Sequence, residues 1–361
     1  MLTLRALPLR GDSANTLLRA YHDGLARHWT PTQRLVGHML AALGRGGWSW
    51  AERRYLVDAV RTQGISMKDR KGLHRLLNPG AFPLASNPLK NKQLFAKMAI
   101  GLPLPDACDP DAMNLDAWLD GQADIIAKPS YQSKGQGVER FVRHGDAWRN
   151  GDSTLTTVQL AVSLRALWGR GGVIQQRLPT HAALADMSPG ALPTLRIVTC
   201  LNEADEPEIC DIALRLSAGG PRPVDNFNAG NLVLAVDPQG RCGPAWRSGG
   251  RQAPTCHSRH PLTGASIEGV MLPDHAAAQR LAIQAHDRFR SGFTLIGWDI
   301  GLTAQGPVLI EGNWNPGTDI LQLANGRGVA DSRLGALYRH ALNRLTAAEW
   351  RGAWVVERDR R

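Results

Sequence analysis

The chain has 361 residues, 43% of them hydrophobic, and carries a formal net charge of +10. That length suffices to bury a large core and suggests two or three domain-sized units, while no apolar run approaches the roughly 20 residues a membrane-spanning helix needs. The five cysteines (Cys108, Cys200, Cys210, Cys242, Cys256) are scattered without a Cys-x-x-Cys pair, which argues against a zinc site or disulfide framework and predicts reduced thiols in a cytoplasmic protein.

Residues 1–90 hold 14 Lys/Arg against 5 Asp/Glu, so nearly all of the excess charge sits in the N-terminal quarter. The first ten residues are too interrupted to read as a secretory signal. Apolar residues at helical spacing predict helices between 13 and 63, with Ser49 and Glu52 placed as a capping box. The positive surface is read as an Arg-rich solvated helical face. It has no nucleic-acid motif and no aromatic stacking platform, so no nucleic-acid partner is expected. Asn78-Pro-Gly80 and Asn87-Pro88 mark loops, and a boundary is placed near 85.

A short helix follows over Lys90–Ile100, ended by Gly101-Leu-Pro-Leu-Pro105. Asp124-Ile-Ile-Ala-Lys-Pro-Ser130 reads as a strand ending in Lys128, and Tyr131-Gln-Ser-Lys-Gly-Gln-Gly137 as a Gly-containing turn into a further strand. Backbone N–H groups in such a turn, around Ser133, Gly135 and Gly137, can cover phosphates, with Lys128 beside them as a point charge. It is not a P-loop, because no Gly-Lys-Ser/Thr opens a helix. Thr156–Arg170 is predicted as an amphipathic helix and Gly171–Leu178 as the strand leaving it.

Leu195–Leu201 and Glu208–Ser217 are predicted strands, each with an arginine among apolar residues, Arg196 and Arg215. Such an arginine needs a partner, either a structural carboxylate or a bound anion. Asp225-Asn-Phe-Asn-Ala-Gly-Asn231 is a polar loop, readable by itself as an Asx-type turn. Residues Arg241–Gly269 are rich in Gly, Ser, His and Pro and are expected to form a long loop carrying substrate specificity. Within it, His257 and His260 lack a third metal ligand nearby and are read as loop surface. Pro273–Arg290 is the last long helix before a hairpin, Asp331–Leu345 closes the fold, and Arg358–Arg361 is expected to fray.

That hairpin, Ile296 to Asn313, is the most informative stretch. Apolar residues flank Asp299, Gln305-Gly306-Pro307 breaks the run, and Val308-Leu309-Ile310 resumes it. Glu311 and Asn313 are two apart and so share a strand face, which Asp299 can join from the neighbouring strand. Aspartate, glutamate and asparagine are hard oxygen ligands of the kind Mg²⁺ takes when it holds phosphates.

With both elements in view the chain resembles the ATP-grasp superfamily. The Lys-Pro strand and its Gly-rich turn look like the family's phosphate-covering loop, and the Asp…Glu-x-Asn set like its magnesium site. Leu192–Thr199, Val224–Gly230, His260-Pro-Leu-Thr-Gly264, Gly297-Trp-Asp299 and Glu311-Gly-Asn313 resemble the sugar-transfer-associated group within it, over roughly residues 85–345.

The resemblance implies an α+β fold. Two α+β subdomains (86–178 and 179–345) would grip ATP, after a helical basic N-terminal region (1–85) and before a tail (346–361). It implies Lys92, with Lys90 as the alternative, as a lysine meeting phosphates. Ile174–Leu178, with Gln175, Gln176 and Leu178, would be the hinge whose backbone meets adenine. His181 or Asp186 are the options for the ribose, and neither matches cleanly. Asn226 and Gly230 match a loop near the transferred phosphate, where Asn231 replaces a second glycine.

The implied activity is an ATP- and Mg²⁺-dependent ligation of small-molecule acid and amine substrates through an acylphosphate. Arg196 or Arg215 would orient the carboxylate or hold the oxygen of the tetrahedral intermediate. A kinase on the same fold, or a nucleotide-binding module without turnover, are the alternatives.

Overall fold

Two antiparallel sheets carry the molecule. The computed structural model describes residues 15–32, 35, 47–131, 137–220, 225–250 and 252–352. The strands are β1 (Ala107–Cys108), β2 (Asp124–Lys128), β3 (Glu139–His144), β4 (Ala147–Asn150), β5 (Ser153–Thr156), β6 (Val173–Gln176), β7 (Thr194–Leu201), β8 (Pro207–Leu216), β9 (Leu232–Ala235), β10 (Ala245–Arg247), β11 (Thr255–His257), β12 (Leu295–Thr303) and β13 (Gly306–Asn313). The smaller sheet runs β1-β6-β2-β3-β4-β5 and the larger β11-β10-β9-β8-β7-β12-β13.

Local sequence signals account for most elements. Ser49 and Glu52 form the expected capping box at helix Trp50–Tyr55. Thr156 and Gln159 form another at helix Thr157–Gly169. Asn91 caps helix Lys92–Met98, its side chain accepting from Leu94 N. Helices His275–Phe289 and Arg333–Arg344 fall inside the predicted spans. The predicted hairpin is β12–β13, turning at Gly306, whose φ of +108° favours glycine.

Each sheet buries an apolar face. Phe141, Trp148 and Ile174 of the smaller sheet pack under Leu115, Leu119, Leu160 and Leu164 from helices Leu115–Asp120 and Thr157–Gly169. The larger sheet is covered on both sides. Ile197, Leu214, Ile296 and Trp298 meet Leu281, Ala285 and Phe289 of helix His275–Phe289 on one face. Val198, Cys200 and Ala213 meet Leu17, Leu25, Leu73, Leu334 and Tyr338 on the other. Side chains alternate along a strand, so Arg196, Arg215 and Asp299 fall on this second face, the one shared with the N-terminal helices.

Two expectations change. The stretch 241–269 is not one long loop: β10 and β11 within it pair through Trp246↔Cys256 and extend the sheet at the edge opposite β13. Trp246 and Thr255 suit a pleated surface and outweigh the Gly and Pro around them. His260 is not surface either; it is buried, with Nε2 2.9 Å from the Ser217 carbonyl. At the C-terminus, residues 347–352 form a helix whose Trp350 packs against Gly24, where a Cβ would lie 2.3 Å from the indole. The fraying expected of Arg358–Arg361 lies outside the described residues. No helix among those described is long and apolar enough to cross a membrane.

Asn78 joins the N-terminal helices to the hairpin. Its side-chain NH₂ donates to the carbonyls of Leu295 (2.9 Å) and Trp314 (2.6 Å), and its Oδ1 accepts from Leu295 N (3.1 Å), all without solvent exposure. Asn78→Ala should cost about 1–3 kcal/mol through the buried groups it strands, read as a lower urea midpoint at unchanged slope. An unchanged midpoint would mean water replaces the amide and the staple is dispensable.

Candidate functional site

A cleft of about 650 Å³ lies between the sheets. Lys128 and Gln175 line it from the smaller sheet, and Arg196, Arg215, Glu311 and Asn313 from the larger, with Lys92 projecting from helix Lys92–Met98. Residues as far apart in the sequence as Lys92 and Asn313 thus share one cavity.

Pairing of β12 with both neighbours organises the acidic side. Asp299 stands opposite Glu311 on β13 and opposite Arg196 on β7, and Gly297 stands opposite Asn313. Each oxygen of the Asp299 carboxylate accepts from an arginine: Arg196 Nε donates to Oδ1 at 2.5 Å and Arg215 Nη2 to Oδ2 at 2.8 Å. Arg215 also donates to Thr194 Oγ1 and lies 3.4 Å from Asp225 Oδ2, while Thr194 Oγ1 bonds Asp225. All five side chains are buried. Burial by itself would raise the Asp299 pKa, but Arg196 and Arg215 outweigh it and hold the carboxyl down at about 2. Burial works against the Arg215 charge, and Asp225 and Asp299 more than offset it, so that guanidinium holds its proton more tightly than usual. Both arginines therefore have the structural partners that arginines within apolar strands require, and both still reach the cleft.

Glu311 and Asn313 face the cavity together, with Asn313 Nδ2 3.4 Å from Glu311 Oε1. Lys92 Nζ lies 3.6 Å from Glu311 Oε2, and Lys92 and Lys90 both line the cleft. Burial lowers the Lys128 pKa to about 8; Glu311 opposes the fall and Lys92 adds to it. As a donor set, Asp299, Glu311 and Asn313 suit a hard divalent cation. Each Asp299 oxygen gives one acceptor position to an arginine and retains its other lone pair, but Asp299 is buried and, unlike Glu311 and Asn313, is not among the residues lining the cleft.

The remaining predicted residues divide. Asn226 lines the cleft at the start of the turn Phe227–Ala229, which Gly230 closes at φ +88°. Asn231, standing where a glycine was expected, braces that turn: its side chain donates to Asn226 O and accepts from Ala218 N. Gly137 adopts φ +68° at the exit of the Gly-rich turn, whose Ser133 and Gly135 lie outside the described residues. Of the expected hinge, Gln175 lines the cleft, while Gln176 and Leu178 do not; successive side chains on β6 point oppositely, and Leu178 follows the strand's end. His181 and Asp186 also lie away from it, His181 accepting from Ala183 N to start a short turn.

Sequence reasoning missed Ser130. Its Oγ accepts from Lys92 N at 3.2 Å and donates to Gly171 O, tying the lysine helix to the end of β2 and the start of β6. It also missed Arg70 and Asp319, which line the far end of the cleft. Neither has a local signature, since one reads as a helix-surface arginine and the other as a first-turn aspartate.

A family model for sugar-transfer-associated ATP-grasp proteins matches residues 70–336. No curated protein matches the chain. Among solved structures, D-alanine–D-alanine ligase from Bacillus anthracis is similar at 13% identity and TM-score 0.39, over 72% of this chain and 69% of that one. L-Amino acid ligase from Bacillus licheniformis is similar at 13% identity and TM-score 0.42, over 79% and 55%. N5-Carboxyaminoimidazole synthetase from Staphylococcus aureus, complexed with ADP, is similar at 7% identity and TM-score 0.38, over 65% and 47%. The chain thus spans between about half and two thirds of the length of these structures.

Asp299→Asn should destabilise the fold by roughly 3–5 kcal/mol at neutral pH, because it removes the counter-charge of buried Arg196 and one of the two carboxylates beside buried Arg215, leaving it Asp225 alone. The folded-state pKa lies below the ordinary 3.8, so the wild-type advantage is complete above about pH 4 and shrinks as pH falls toward 2. Denaturant unfolding of both proteins at pH 7 and pH 3 measures this. Equal stability at pH 7 would mean solvent already screens the arginines.

Proposed function

The chain belongs to the sugar-transfer-associated ATP-grasp family and has its two-sheet α+β fold, and we propose that it is an ATP- and Mg²⁺-dependent, ADP-forming carboxylate–amine ligase. Its substrates would be a small-molecule acid and amine, on a metabolite or a sugar-linked compound. The observation that carries this reading is that Lys92, Lys128, Glu311 and Asn313 meet in one cleft, with Lys92 ion-paired to Glu311 and both arginines beside them.

Lys128 and Lys92 give the cleft positive charge where nucleotide phosphates would lie, and the backbone leading to Gly137 would cover them. Gln175 and the strand around it would contact the base. Asp299, Glu311 and Asn313 would hold Mg²⁺, which when bound would neutralise phosphate charge. Phosphoryl transfer needs positioning and electrostatics more than a dedicated base, so no such base is required. The acceptor carboxylate becomes an acylphosphate; the amine nitrogen then bonds the acyl carbon, phosphate leaves with the C–O bonding electrons, and the amine proton passes to solvent. Arg196 and Arg215, held at fixed angles by Asp299, would orient the carboxylate and stabilise charge on the acyl oxygen. Asn226, at the start of its turn, would stand beside the phosphate being transferred.

Mass spectrometry after incubation with ATP, Mg²⁺ and panels of acids and amines tests the reaction class. The expected result is ADP, phosphate and an amide whose formation needs both co-substrates. A phosphorylated acid or alcohol that persists in the presence of every amine would replace ligase with kinase. Glu311→Gln should lower turnover by about a hundredfold or more with an unchanged melting temperature. Full activity in that variant would remove Glu311 from the metal site.

Lys128 predicts a pH dependence of nucleotide affinity. Its ammonium is charged below about pH 8 and lost above it, and bound phosphate favours the charged form. The affinity of a non-hydrolysable ATP analogue should therefore weaken between pH 7 and pH 9. In Lys128→Ala it should be weaker at pH 7 and lack that step. Equal affinities for the two proteins at pH 7 would take Lys128 away from the phosphates.

A further inference from the structure

The end of the cleft beyond Asn313 is built partly by the N-terminal helix Met67–Leu77, and its chemistry differs from that of the phosphate end. Arg70 lines it and is only 8% exposed. Nη1 donates to the Asn315 carbonyl at 3.0 Å, and Nε is buried with no hydrogen-bond partner among the described residues. Asp319 faces the same space and is 6% exposed. Its Oδ2 accepts from the Tyr55 hydroxyl at 3.1 Å, and no hydrogen bond among the described residues reaches Oδ1.

No ion pair joins Arg70 to Asp319, yet both border Gly317. A Cβ built on that glycine would lie 2.9 Å from Asp319 Oδ1 and 3.8 Å from Arg70 Nη1. A buried cation and a buried anion thus flank one side-chain-free spot, each anchored to the protein through one atom with other polar atoms left over. Desolvating both groups and leaving them unjoined is costly unless a ligand completes them.

The anchors are fixed from behind. His74 Nδ1 is 3.1 Å from Asn315 Oδ1, and its Nε2 is 2.8 Å from the Tyr338 hydroxyl. Burial and the neighbouring Arg70 charge push the His74 pKa well below its usual value, so the ring is neutral. A neutral ring facing an amide oxygen donates from Nδ1 and accepts the tyrosine proton at Nε2. Asn315, and through its carbonyl the Arg70 guanidinium, is thereby held in place.

We propose that this end of the cleft is a subsite for the zwitterionic head of a free α-amino acid, with Arg70 binding the carboxylate and Asp319 the ammonium over Gly317. Guanidinium matches carboxylate in geometry and charge, and the spacing around Gly317 suits a small Cα centre better than a long diacid. The amino acid's role as amine substrate rests on the ligase reading above; its binding does not.

Calorimetric titration of the full chain, with and without Mg²⁺ and a non-hydrolysable ATP analogue, tests the subsite. The titrants are the common amino acids in both enantiomers, together with the N-acetyl and the decarboxylated derivative of each binder. At least one amino acid should bind, and both derivatives should bind at least about tenfold more weakly, since each loses a charge-assisted contact. Arg70→Lys should weaken the intact amino acid about tenfold while nucleotide affinity stays within twofold. Asp319→Asn should abolish the preference for the free amine over its N-acetyl form. The comparison of derivatives on the wild-type chain keeps the test valid if either variant folds poorly. Absence of amino-acid binding in both conditions, or equal binding of the derivatives, would overturn the subsite. Amino-acid binding without any nucleotide binding would uphold it and overturn the ligase reading instead.

Discussion

The site depends on a single carboxylate held between two arginines. Asp299 sits on β12, next to the edge strand of the larger sheet, and its neighbours in space, Arg196 and Arg215, come from β7 and β8. Removing charges from water is costly, and only good geometry with further hydrogen bonds recovers the cost. Thr194 and Asp225 supply those extra bonds. The result is a strip of fixed charge across three strands, and Glu311 inherits its position from the same register because it is the β13 residue paired with Asp299.

Fixed charge matters because the reaction class gains mostly from groups already in place. Donors that need no reorganisation when charge develops stabilise it more than flexible ones do. Arg196 and Arg215 meet that condition: their long side chains are immobilised by the aspartates and still border the cavity. Lys128 and Lys92, in contrast, are held by burial and by one ion pair, and Lys128 is close enough to neutrality that its charge responds to pH near 8. The two halves of the cleft therefore differ in electrostatic stiffness, with a rigid side on the larger sheet and a titratable side on the smaller.

The N-terminal helices are more than a basic surface. Their apolar residues share a core with the second face of the larger sheet, Asn78 bonds both ends of the hairpin, and Arg70 and Tyr55 shape the end of the cleft. Part of what looks like excess positive charge in the sequence is thus internal. Arg70 is buried beside the cavity, and Arg75 is half-buried with its guanidinium over the Phe82 ring.

Local chemistry was legible in the sequence. Ser49–Glu52 announced a helix start, helical spacing placed another at Thr156, alternating residues marked β7, and the Gly306 turn with Glu311 and Asn313 two apart marked the hairpin and its polar face. Each signal lies within a few residues, where the 3.6- and 2-residue periods and capping chemistry operate. Tertiary structure decided what those windows could not contain. It set β10 and β11, within 241–269, at a sheet edge, buried His260, and gave each oxygen of Asp299 an arginine donor. It also brought Tyr55 to Asp319 across 264 positions. Such pairings follow from strand order and from which helix covers which face. An arginine on a helix carries the same local signature whether it meets water or a cavity, so Arg70 became a candidate only once the chain had folded around it.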